Sequence, residues 1–516
     1  MCRICSGQSN IKLFFAVLVF ILPILLNGQQ QRLIILADMG NEPDEMQQMI
    51  HMTVCSNEFD LEGLIAVTGK FLRPESKLEY RRITHPELFN DIIDAYEKVL
   101  PNLKKHAEGW SSPDYLRSIV GAGQSEYGID GIGEHKQSEG SKLLVKAFEK
   151  NDNGPLWIVV NAGSNTLAQA LQDYKKSHTK NELDALLEKI WVFENGAQDN
   201  AGAWICNRFP NINWIRSNYQ TYAYGGPGTK KGDTTSELGP NFLEGYENSS
   251  YGQLAWLKEN VMKNHGPLGE LYPERRFTGT DILGFMEGGG TIPWMGLVNK
   301  GLSEIGHPSW GGWGGRFTKV KVADFWSRHL GIYEDELKSA PFYMHREVSD
   351  VWKNYKDGKT YFGNYVPIWR WREAMFNDFK CRMDWCVKSF EEANHHPKAV
   401  FNGDEGDGIL YLKALPGEKI ILDASFSNDV DGDDLEFYWW IYKEAGNYAG
   451  EVFIDEPKSS KTFLSVPSGA ASKQLHLILE VKDKSDIAPL FDYRRIVINV
   501  SNTYDHSLVP QQKKVH

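Results

Sequence analysis

The sequence has 516 residues, of which 41% are hydrophobic and 24% charged, so it can bury a large core and is too long for one ordinary domain. Its net charge is −12, and its Lys and Arg residues are scattered rather than clustered. Because binding to a phosphate backbone needs a basic face, this pattern argues against a nucleic acid polymer as partner. The 16 Trp and 22 Tyr residues favour a carbohydrate-like ligand, since aromatic rings stack on sugars.

An apolar run of fourteen residues, Leu13 to Leu26, lies near the start of the sequence and follows Arg3 and Lys12. This arrangement is typical of a signal peptide, and we predict that residues 1–28 are removed. A retained membrane anchor is the alternative, although the run is short for a hydrocarbon core of ~30 Å. The protein is therefore predicted to be secreted or periplasmic, with no membrane association once the signal is cleaved.

Strands and helices alternate after this run. Leu33–Ala37 and Leu61–Thr68 are mainly apolar segments, and a helix-like stretch from Glu45 to Val54 separates them. The same alternation recurs as a strand over 155–161, helices over 165–174 and 181–187, and a strand over 189–193. Continuous apolar strands are typical of a parallel sheet covered by helices. We therefore predict an α/β fold with a mostly parallel, doubly wound sheet and helices on both faces. Ligands of such sheets bind at the carboxyl ends of the strands.

The pattern changes towards the end of the chain. Glycines, prolines and aromatics predominate over 225–315 and predict long loops, and helices are expected at 322–330 and 371–393. After a linker at 394–397, short strands are predicted at 409–412, 419–423, 435–442, 462–466, 476–482 and 493–500. Their number and spacing indicate an Ig-like β-sandwich. The predicted organisation is a signal peptide at 1–28, an α/β domain at 29–394, an Ig-like domain at 395–504 and a tail at 505–516.

Four cysteines follow the signal peptide. Cys381 and Cys386 form the best candidate disulfide in an oxidising compartment, although five residues on one helix need a distortion to meet. Two buried free thiols are the alternative.

Residues 38–45 (DMGNEPDE) place four acidic side chains between the first strand and its helix. Like charges this close are costly unless a cation neutralises them, and carboxylate oxygens are ligands of hard cations such as Ca²⁺. The alternative is an acidic helix N-terminus, in which Asn41 is the cap and the carboxylates favour the helix dipole.

These residues resemble a known family. The order strand, Asp-x-Gly, acidic pair, helix is similar to the nucleoside hydrolase superfamily. The sequence DMGNEPDE followed by SNEFDLEGLIAVT resembles the nucleoside-hydrolase-like domain of bacterial "cellulose-binding" proteins. Proteins of that family also carry a C-terminal sandwich. Residues 127–133 (YGIDGIG), 161–168 (NAGSNTLA) and 201–205 (AGAWI) follow in the expected order. The resemblance covers most of 32–500.

The resemblance implies roles for individual residues. Asp38 would bind calcium and activate water, Glu45 would be the second acidic ligand, and Asp44 would reach the sugar hydroxyls. The backbone carbonyl of Asn165 would complete the ion's shell. The side chains implied in substrate binding are Asn41, Asn161, Asn200 and Glu287. The sequence departs from the superfamily pattern in having Glu at position 45, Gly69-Lys70 after the second strand, and Glu287 where an Asp is expected.

Two further motifs remain. Trp310 and Trp313 lie among glycines and predict, with Trp294, a stacking wall over a sugar, and a structural loop is the alternative. Residues 429–434 (DVDGDD) predict a hairpin-type turn in the second domain, with a weak surface calcium site as the alternative, because their spacing does not fit an EF-hand.

We therefore expect an exported hydrolase of glycosyl bonds in a carbohydrate, using a water activated at a calcium site. A non-catalytic carbohydrate-binding protein that recognises a cellulose-like polysaccharide is one alternative. An extracellular nucleoside N-ribohydrolase is the other. Glu194, His135 and His307 are candidates for the leaving-group acid. The expected partner is a carbohydrate, and a homo-oligomer remains open.

Overall fold

A computed structural model describes residues 30–152, 154–225, 250–273, 286, 288–298, 301–322, 325–327, 330, 332–334 and 342–502. The predicted signal peptide, the predicted C-terminal tail and Glu287 lie outside the described residues. Within the described residues, no helix is both long and apolar enough to cross a lipid bilayer.

The first domain is built on an eight-stranded sheet with the order β3-β2-β1-β4-β5-β6-β10-β7. All neighbouring strands are parallel except β10 and β7. The strands of this sheet are β1 (Gln31–Ala37), β2 (Phe59–Ala66), β3 (Val120–Ala122), β4 (Leu156–Val160), β5 (Ile190–Asn195), β6 (Asn213–Ser217), β7 (Phe317–Val322) and β10 (Phe342–Glu347). The predicted mostly parallel α/β sheet is confirmed.

Helices cover both faces of this sheet. Successive residues of a strand point to opposite faces, so a strand in which all of them are apolar needs a buried environment on both sides. In β1, Leu33 and Ile35 join one buried cluster, whereas Ile34 and Leu36 join another. The first cluster includes side chains of α1 (Pro43–Val54), α2 (Glu87–His106) and α12 (Arg372–Trp385). The second includes side chains of α4 (Glu139–Glu149), α5 (Asn165–Ser177), α6 (Lys180–Lys189) and α7 (Ala201–Arg208). The shorter helices are α3 (Pro113–Ser118), α8 (Leu254–Leu257), α9 (Gly266–Leu271), α10 (Ile292–Met295) and α11 (Val366–Trp369).

Two sequence predictions for helices in the later part of this domain need correction. The predicted helix at 322–330 is wrong, because β7 ends at Val322 and a short strand, β8 (Phe325–Ser327), follows. The segment begins with the last residue of β7, and β8 contains Phe325 and Trp326, two aromatic residues of the type that favours strands. The predicted helix at 371–393 ends earlier, at Trp385, and a 3₁₀ turn over Phe390–Glu392 follows.

Two small hairpins pair β8 with β9 (Ile332–Glu334), and β11 (Asp350–Lys353) with β12 (Thr360–Gly363).

The second domain is all β, as predicted, with a four-stranded sheet of order β13-β19-β18-β15 and a three-stranded sheet of order β14-β17-β16. Their strands are β13 (Leu410–Ala414), β14 (Lys419–Asp423), β15 (Leu435–Ile441), β16 (Phe453–Ile454), β17 (Lys461–Ser465), β18 (Gln474–Asp483) and β19 (Phe491–Val500). Side chains of both sheets share one core, including Leu422, Trp439 and Leu479. Residues 429–434 form a turn in which Asp429 Oδ1 accepts hydrogen bonds from the backbone N–H groups of Asp431 and Asp433 at 2.8 and 3.2 Å.

The four cysteines among the described residues are buried free thiols. Cys381 lies in α12 and Cys386 caps its C-terminal end. The Cys381 Sγ approaches the carbonyl oxygen of Ala488 at 3.8 Å, and the Cys386 Sγ approaches the carbonyl oxygen of Arg382 at 3.5 Å. The candidate disulfide between Cys381 and Cys386 is therefore absent from this structure, because a nearly regular helix keeps the two sulfur atoms apart.

Candidate functional site

The candidate site lies at the carboxyl ends of four neighbouring parallel strands, β2, β1, β4 and β5. Gly69 follows β2, Asp38 directly follows β1, Asn161 directly follows β4, and Gln198 and Asp199 follow β5. Because parallel strands end at the same edge of a sheet, these residues are brought to one place from distant parts of the sequence.

A tight turn after β1 adds two more carboxylates. Gly40 has a φ of 90°, a left-handed conformation that glycine adopts without steric cost, and α1 then starts at Pro43. Asp44 and Glu45 stand in the first turn of α1. The Glu45 carboxyl lies within hydrogen-bonding reach of both Asp38 and Asp44, so the three groups form one cluster.

This carboxylate cluster, Asp38, Asp44 and Glu45, is electrostatically uncompensated. Burial raises the pKa of Asp38 to about 7 and that of Asp44 to about 7. Burial and the negative charges of Asp44 and Asp38 raise the pKa of Glu45 well above its usual range. Within the described part of the chain, no ion pair with Lys, Arg or His reaches any of the three. Among the described residues, the fold therefore brings three acidic groups together without supplying a cation to pair with them.

Several buried polar atoms at the site have no hydrogen-bond partner among the described residues. They are Asp38 Oδ1, Asn41 Oδ1, Asp44 Oδ1, Glu45 Oε2, Gln48 Nε2 and Asn161 Oδ1. The other carboxylate oxygen of Asp38, Oδ2, accepts a hydrogen bond from Asn41 Nδ2 at 2.9 Å. Leaving buried polar atoms unpaired is costly, so such a concentration indicates a place for a ligand.

One side of the site is formed by Gly69 and Gln198. A Cβ at position 69 would lie 2.6 Å from Gln198 Oε1 and 3.1 Å from Asp38 Oδ2, so the absence of a side chain there lets these two groups approach. Gln198 is held in place, because its Oε1 accepts from the backbone N–H of Lys70 at 3.2 Å and its Nε2 donates to the Asn161 carbonyl at 3.1 Å.

The opposite side is formed by Asn161, Gln48 and Gly290. A Cβ at position 290 would lie 2.7 Å from both Asn161 Nδ2 and Gln48 Nε2. Asn161 Nδ2 also donates to the Gly290 carbonyl at 3.2 Å. The sequence analysis did not identify Gln48 or Gln198 as site residues. The signal for Gln48 was its spacing of three and four residues from Glu45 and Asp44, which places all three on one face of the helix.

The donor set of the site fits a hard divalent cation. The unpartnered carboxylate oxygens of Asp38, Asp44 and Glu45 are the ligand type that calcium takes, and a divalent ion would compensate negative charge that no described Lys, Arg or His compensates.

The family model for the nucleoside hydrolase-like domain of cellulose-binding Sde182 matches residues 32–317. The chain belongs to this family. A second model, the C-terminal domain of cellulose-binding protein Sde0182, matches residues 419–500 of this family member.

A solved structure with a similar fold is a nucleoside hydrolase-related hypothetical protein from Saccharophagus degradans, described as associated with carbohydrate metabolism. It is 34% identical, with a TM-score of 0.74, and the match covers 92% of this chain and 100% of the other. No curated protein matches the sequence. The predicted resemblance to the Sde182 family is therefore confirmed.

In this Sde182-family chain, Asn165 and Asn200 make structural contacts. The side-chain amide of Asn165 donates to Thr68 Oγ1 at 3.2 Å and to the Glu126 carbonyl at 2.7 Å. Asn200 Oδ1 accepts from the backbone N–H of Ile129 at 3.0 Å. The hydrogen bonds of both side chains go to neighbouring loops rather than to the carboxylate cluster, and their predicted roles stay predictions.

Asp199 is a buried carboxylate that sequence reasoning missed. Its oxygens accept hydrogen bonds from the backbone N–H groups of Asn165 at 3.2 Å and Ala201 at 2.9 Å, so it ties the N-termini of α5 and α7 together. Burial raises its pKa to about 7 despite these bonds.

Glu194, a candidate for the leaving-group acid, is committed to a buried ion pair. Arg216 Nε donates to Glu194 Oε2 at 2.6 Å, Trp214 Nε1 donates to the same oxygen at 2.8 Å, and Ser164 Oγ donates to Oε1 at 3.0 Å. Because both carboxylate oxygens are engaged by neighbouring side chains, the placement does not support an acid role. His135 and His307 are exposed.

Trp310 and Trp313 lie where the two domains meet. Trp310 is 5% exposed, stacks on His307 at 4.0 Å and meets the edge of His476 at 4.9 Å. Trp313 is 1% exposed and faces the edge of Tyr493 at 6.5 Å. This placement does not support the predicted stacking wall, because protein already packs against the rings, and it matches the alternative of a structural loop.

A second group of metal-ligand side chains lies at the other end of α1. The ligand atoms of His51, Cys55 and Asp378 all lie within 4.8 Å of one another, and all three residues are buried. The sequence analysis missed this group, because Asp378 is more than 300 residues from its neighbours and only the packing of α12 on α1 brings it there.

Proposed function

We propose that the protein is an exported hydrolase that cleaves a glycosyl bond in a carbohydrate at the carboxylate cluster. The observation that carries this proposal is the set of three buried carboxyl groups, Asp38, Asp44 and Glu45, with unpartnered oxygens and no cation among the described residues. Membership of a family with a nucleoside hydrolase-like domain and a cellulose-binding description supports the same class of substrate.

Asp38 and Glu45 would hold a calcium ion, with Asp44 at the side nearest the ligand, since Asp44 is the most exposed of the three. When bound, the ion would supply positive charge that makes a nearby water easier to deprotonate. Asp38 Oδ1 is the free oxygen of that side chain, because Oδ2 accepts from Asn41, and Oδ1 would take the proton of the attacking water.

The remaining site residues would bind the sugar. Asn161 Oδ1 and Gln48 Nε2 offer an acceptor and a donor to sugar hydroxyls. Water attacks the anomeric carbon, the glycosyl bond breaks, and the bonding electron pair leaves with the departing group, which takes a proton from solvent. The negative field of the carboxylates would stabilise the oxocarbenium-like transition state of this displacement.

Calorimetric titration of the mature protein with calcium tests the cation site. We expect one site in the wild type, loss of binding in Asp38→Asn, and unchanged binding in the control Asp184→Asn, whose carboxylate is paired with Lys180 on the surface. Hydrolysis is then tested by release of reducing sugar from plant and algal oligosaccharides and by release of base from nucleosides.

Two outcomes would replace this proposal. Binding of oligosaccharides without calcium uptake or hydrolysis would favour a non-catalytic carbohydrate-binding protein, which the pairing of Glu194 with Arg216 supports because it removes a candidate acid. Release of base and ribose from nucleosides, with no release of reducing sugar from the oligosaccharides, would favour an extracellular nucleoside N-ribohydrolase.

A further inference from the structure

The end of α1 opposite the carboxylate cluster carries a group of three potential metal ligands. His51 and Cys55 lie four residues apart, so they share one face of the helix, and Asp378 comes from α12, which packs against it. His51 is 1% exposed, and Cys55 and Asp378 are 0% exposed. Their ligand atoms lie within 4.8 Å of one another.

Two of these side chains have an unused atom. Among the described residues, His51 Nε2 and Asp378 Oδ2 have no hydrogen-bond partner, although both are buried. The other atoms of the two groups are engaged. His51 Nδ1 lies 3.3 Å from the Tyr224 hydroxyl, and Asp378 Oδ1 accepts from Arg382 Nε at 2.8 Å and lies 2.8 Å from His396 Nε2.

These hydrogen bonds prepare the free atoms for metal binding. When His51 Nδ1–H donates to the Tyr224 oxygen, the lone pair of Nε2 is available, which is the usual arrangement of a ligating histidine. Burial lowers the pKa of His51 to about 3, so the ring is neutral at physiological pH. Although burial opposes ionisation of Asp378, the charge of Arg382 holds its pKa well below the usual range, so this carboxyl is ionised.

We propose that His51, Cys55 and Asp378 bind one divalent transition metal ion of the zinc class, which braces α1 against α12. One nitrogen, one sulfur and one oxygen ligand suit zinc, whereas calcium takes oxygen ligands almost alone. A water molecule would complete a tetrahedral shell. This site is separate from the carboxylate cluster in position and in ligand chemistry.

Charge at the site balances when the ion binds. The Cys55 thiol loses its proton to solvent as the sulfur–metal bond forms, and the thiolate and Asp378 then match the two charges of the ion. The nearby cation Arg382 is matched separately by Glu58, which it approaches at 3.1 Å. His396 Nε2 also lies 2.8 Å from Asp378 Oδ1.

Metal binding requires the three ligand atoms to move slightly closer to one another. Ligand atoms around one tetrahedral zinc ion lie about 3.5 Å apart, so the side chains close by roughly 1 Å from the present arrangement. Along the helix, Cys55 is about 15 Å from Glu45, so the ion is too far away to take part in chemistry at the carboxylate cluster.

Cobalt(II) titration of the chelator-treated mature protein tests this proposal, because a cobalt–thiolate bond gives a charge-transfer absorption band that oxygen ligands cannot give. We expect the band to saturate at one equivalent, to be absent in Cys55→Ser, and to be retained in Cys206→Ser, a control that removes a buried thiol on the other side of the sheet. Asp38→Asn should leave the band unchanged, which separates this site from the proposed calcium site.

A wild type without the band would overturn the proposal, and so would a Cys55→Ser variant that keeps it. X-ray absorption of the zinc-loaded wild type gives a test that does not depend on the folding of a variant. We expect one sulfur ligand together with nitrogen or oxygen ligands, and a shell without sulfur would also overturn the proposal.

Discussion

The two ends of α1 carry two buried acidic centres with opposite electrostatics. Asp38 and Asp378 are both 0% exposed. The pKa of Asp38 is raised to about 7, whereas that of Asp378 lies well below its usual range. The difference between these two pKa values comes from the charged groups next to each carboxyl group. Asp38 faces two more carboxyl groups, and Asp378 faces Arg382 and His396.

This comparison shows that burial alone does not decide the charge state of a carboxyl group. Burial disfavours the ionised form in both places, and only a nearby cation reverses the effect. Where the fold supplies the cation, as Arg382 does for Asp378, the carboxyl group stays ionised in the interior. Among the described residues no such cation faces Asp38, Asp44 or Glu45, and burial raises the pKa of each.

The largest expected effect comes from breaking the compensated centre. Arg382→Met leaves Asp378 buried without its main cation, and we expect the free energy of unfolding to fall by about 3–5 kcal/mol. Urea denaturation measures this change. The control Arg117→Met removes an exposed guanidinium paired with Asp94 and Glu97 and should leave the unfolding midpoint nearly unchanged. An equally small effect of both variants would contradict the comparison.

The opposite sign is expected at the uncompensated centre. Without divalent cations at pH 8, Asp38→Asn removes a buried negative charge that no described cation compensates, so we expect the protein to become more stable by about 1–4 kcal/mol. The same variant should lose the stabilisation that calcium gives to the wild type. Thermal unfolding with and without calcium measures both effects. Destabilisation of the calcium-free variant would show that the cluster is compensated after all.

The pH dependence of stability sharpens the same contrast. Asp38 and Asp44 have pKa values near 7 in the folded protein and about 4 in the unfolded chain, so the folded state binds more protons between these values. These groups make their full favourable contribution to the free energy of unfolding below a pH of about 4, and this contribution is lost as the pH rises through about 7. In a chelator, the melting temperature should therefore fall over this range. Calcium should raise it most at the alkaline end, and Asp38→Asn should flatten the profile.

The smallest effect on stability is expected at Gly69. An alanine Cβ would lie 3.1 Å from Asp38 Oδ2 and 2.6 Å from Gln198 Oε1, so these side chains must shift. We expect Gly69→Ala to weaken calcium binding while the free energy of unfolding changes by about 1 kcal/mol or less. Calorimetry measures the affinity. Gly306→Ala is the matched control, because a Cβ there would meet nothing within 4 Å. Equal affinities in both variants would place the cation away from Asp38.

Much of the fold could be predicted from the sequence. The continuous apolar segments gave β1, β2, β4 and β5 to within a few residues, and alternation gave the six longer strands of the second domain. The helix predicted at 322–330 was wrong because Val322 ends β7, and the aromatic residues Phe325 and Trp326 belong to the short strand β8. At the site, Asp38, Asp44 and Glu45 were found because they belong to a cluster of acidic residues between the first strand and its helix, and Asn161 was found through the family resemblance.

What the sequence by itself determined is therefore the kind of each element and the acidic turn after β1, since both depend on residues close together in the chain. Only the tertiary structure decided which charges are compensated. Arg216 reaches Glu194 from the next strand, Arg382 comes from a helix more than 300 residues beyond α1, and Trp310 is buried by the second domain. Electrostatic and packing energies depend on distance in space, and the sequence pattern reports only distance along the chain.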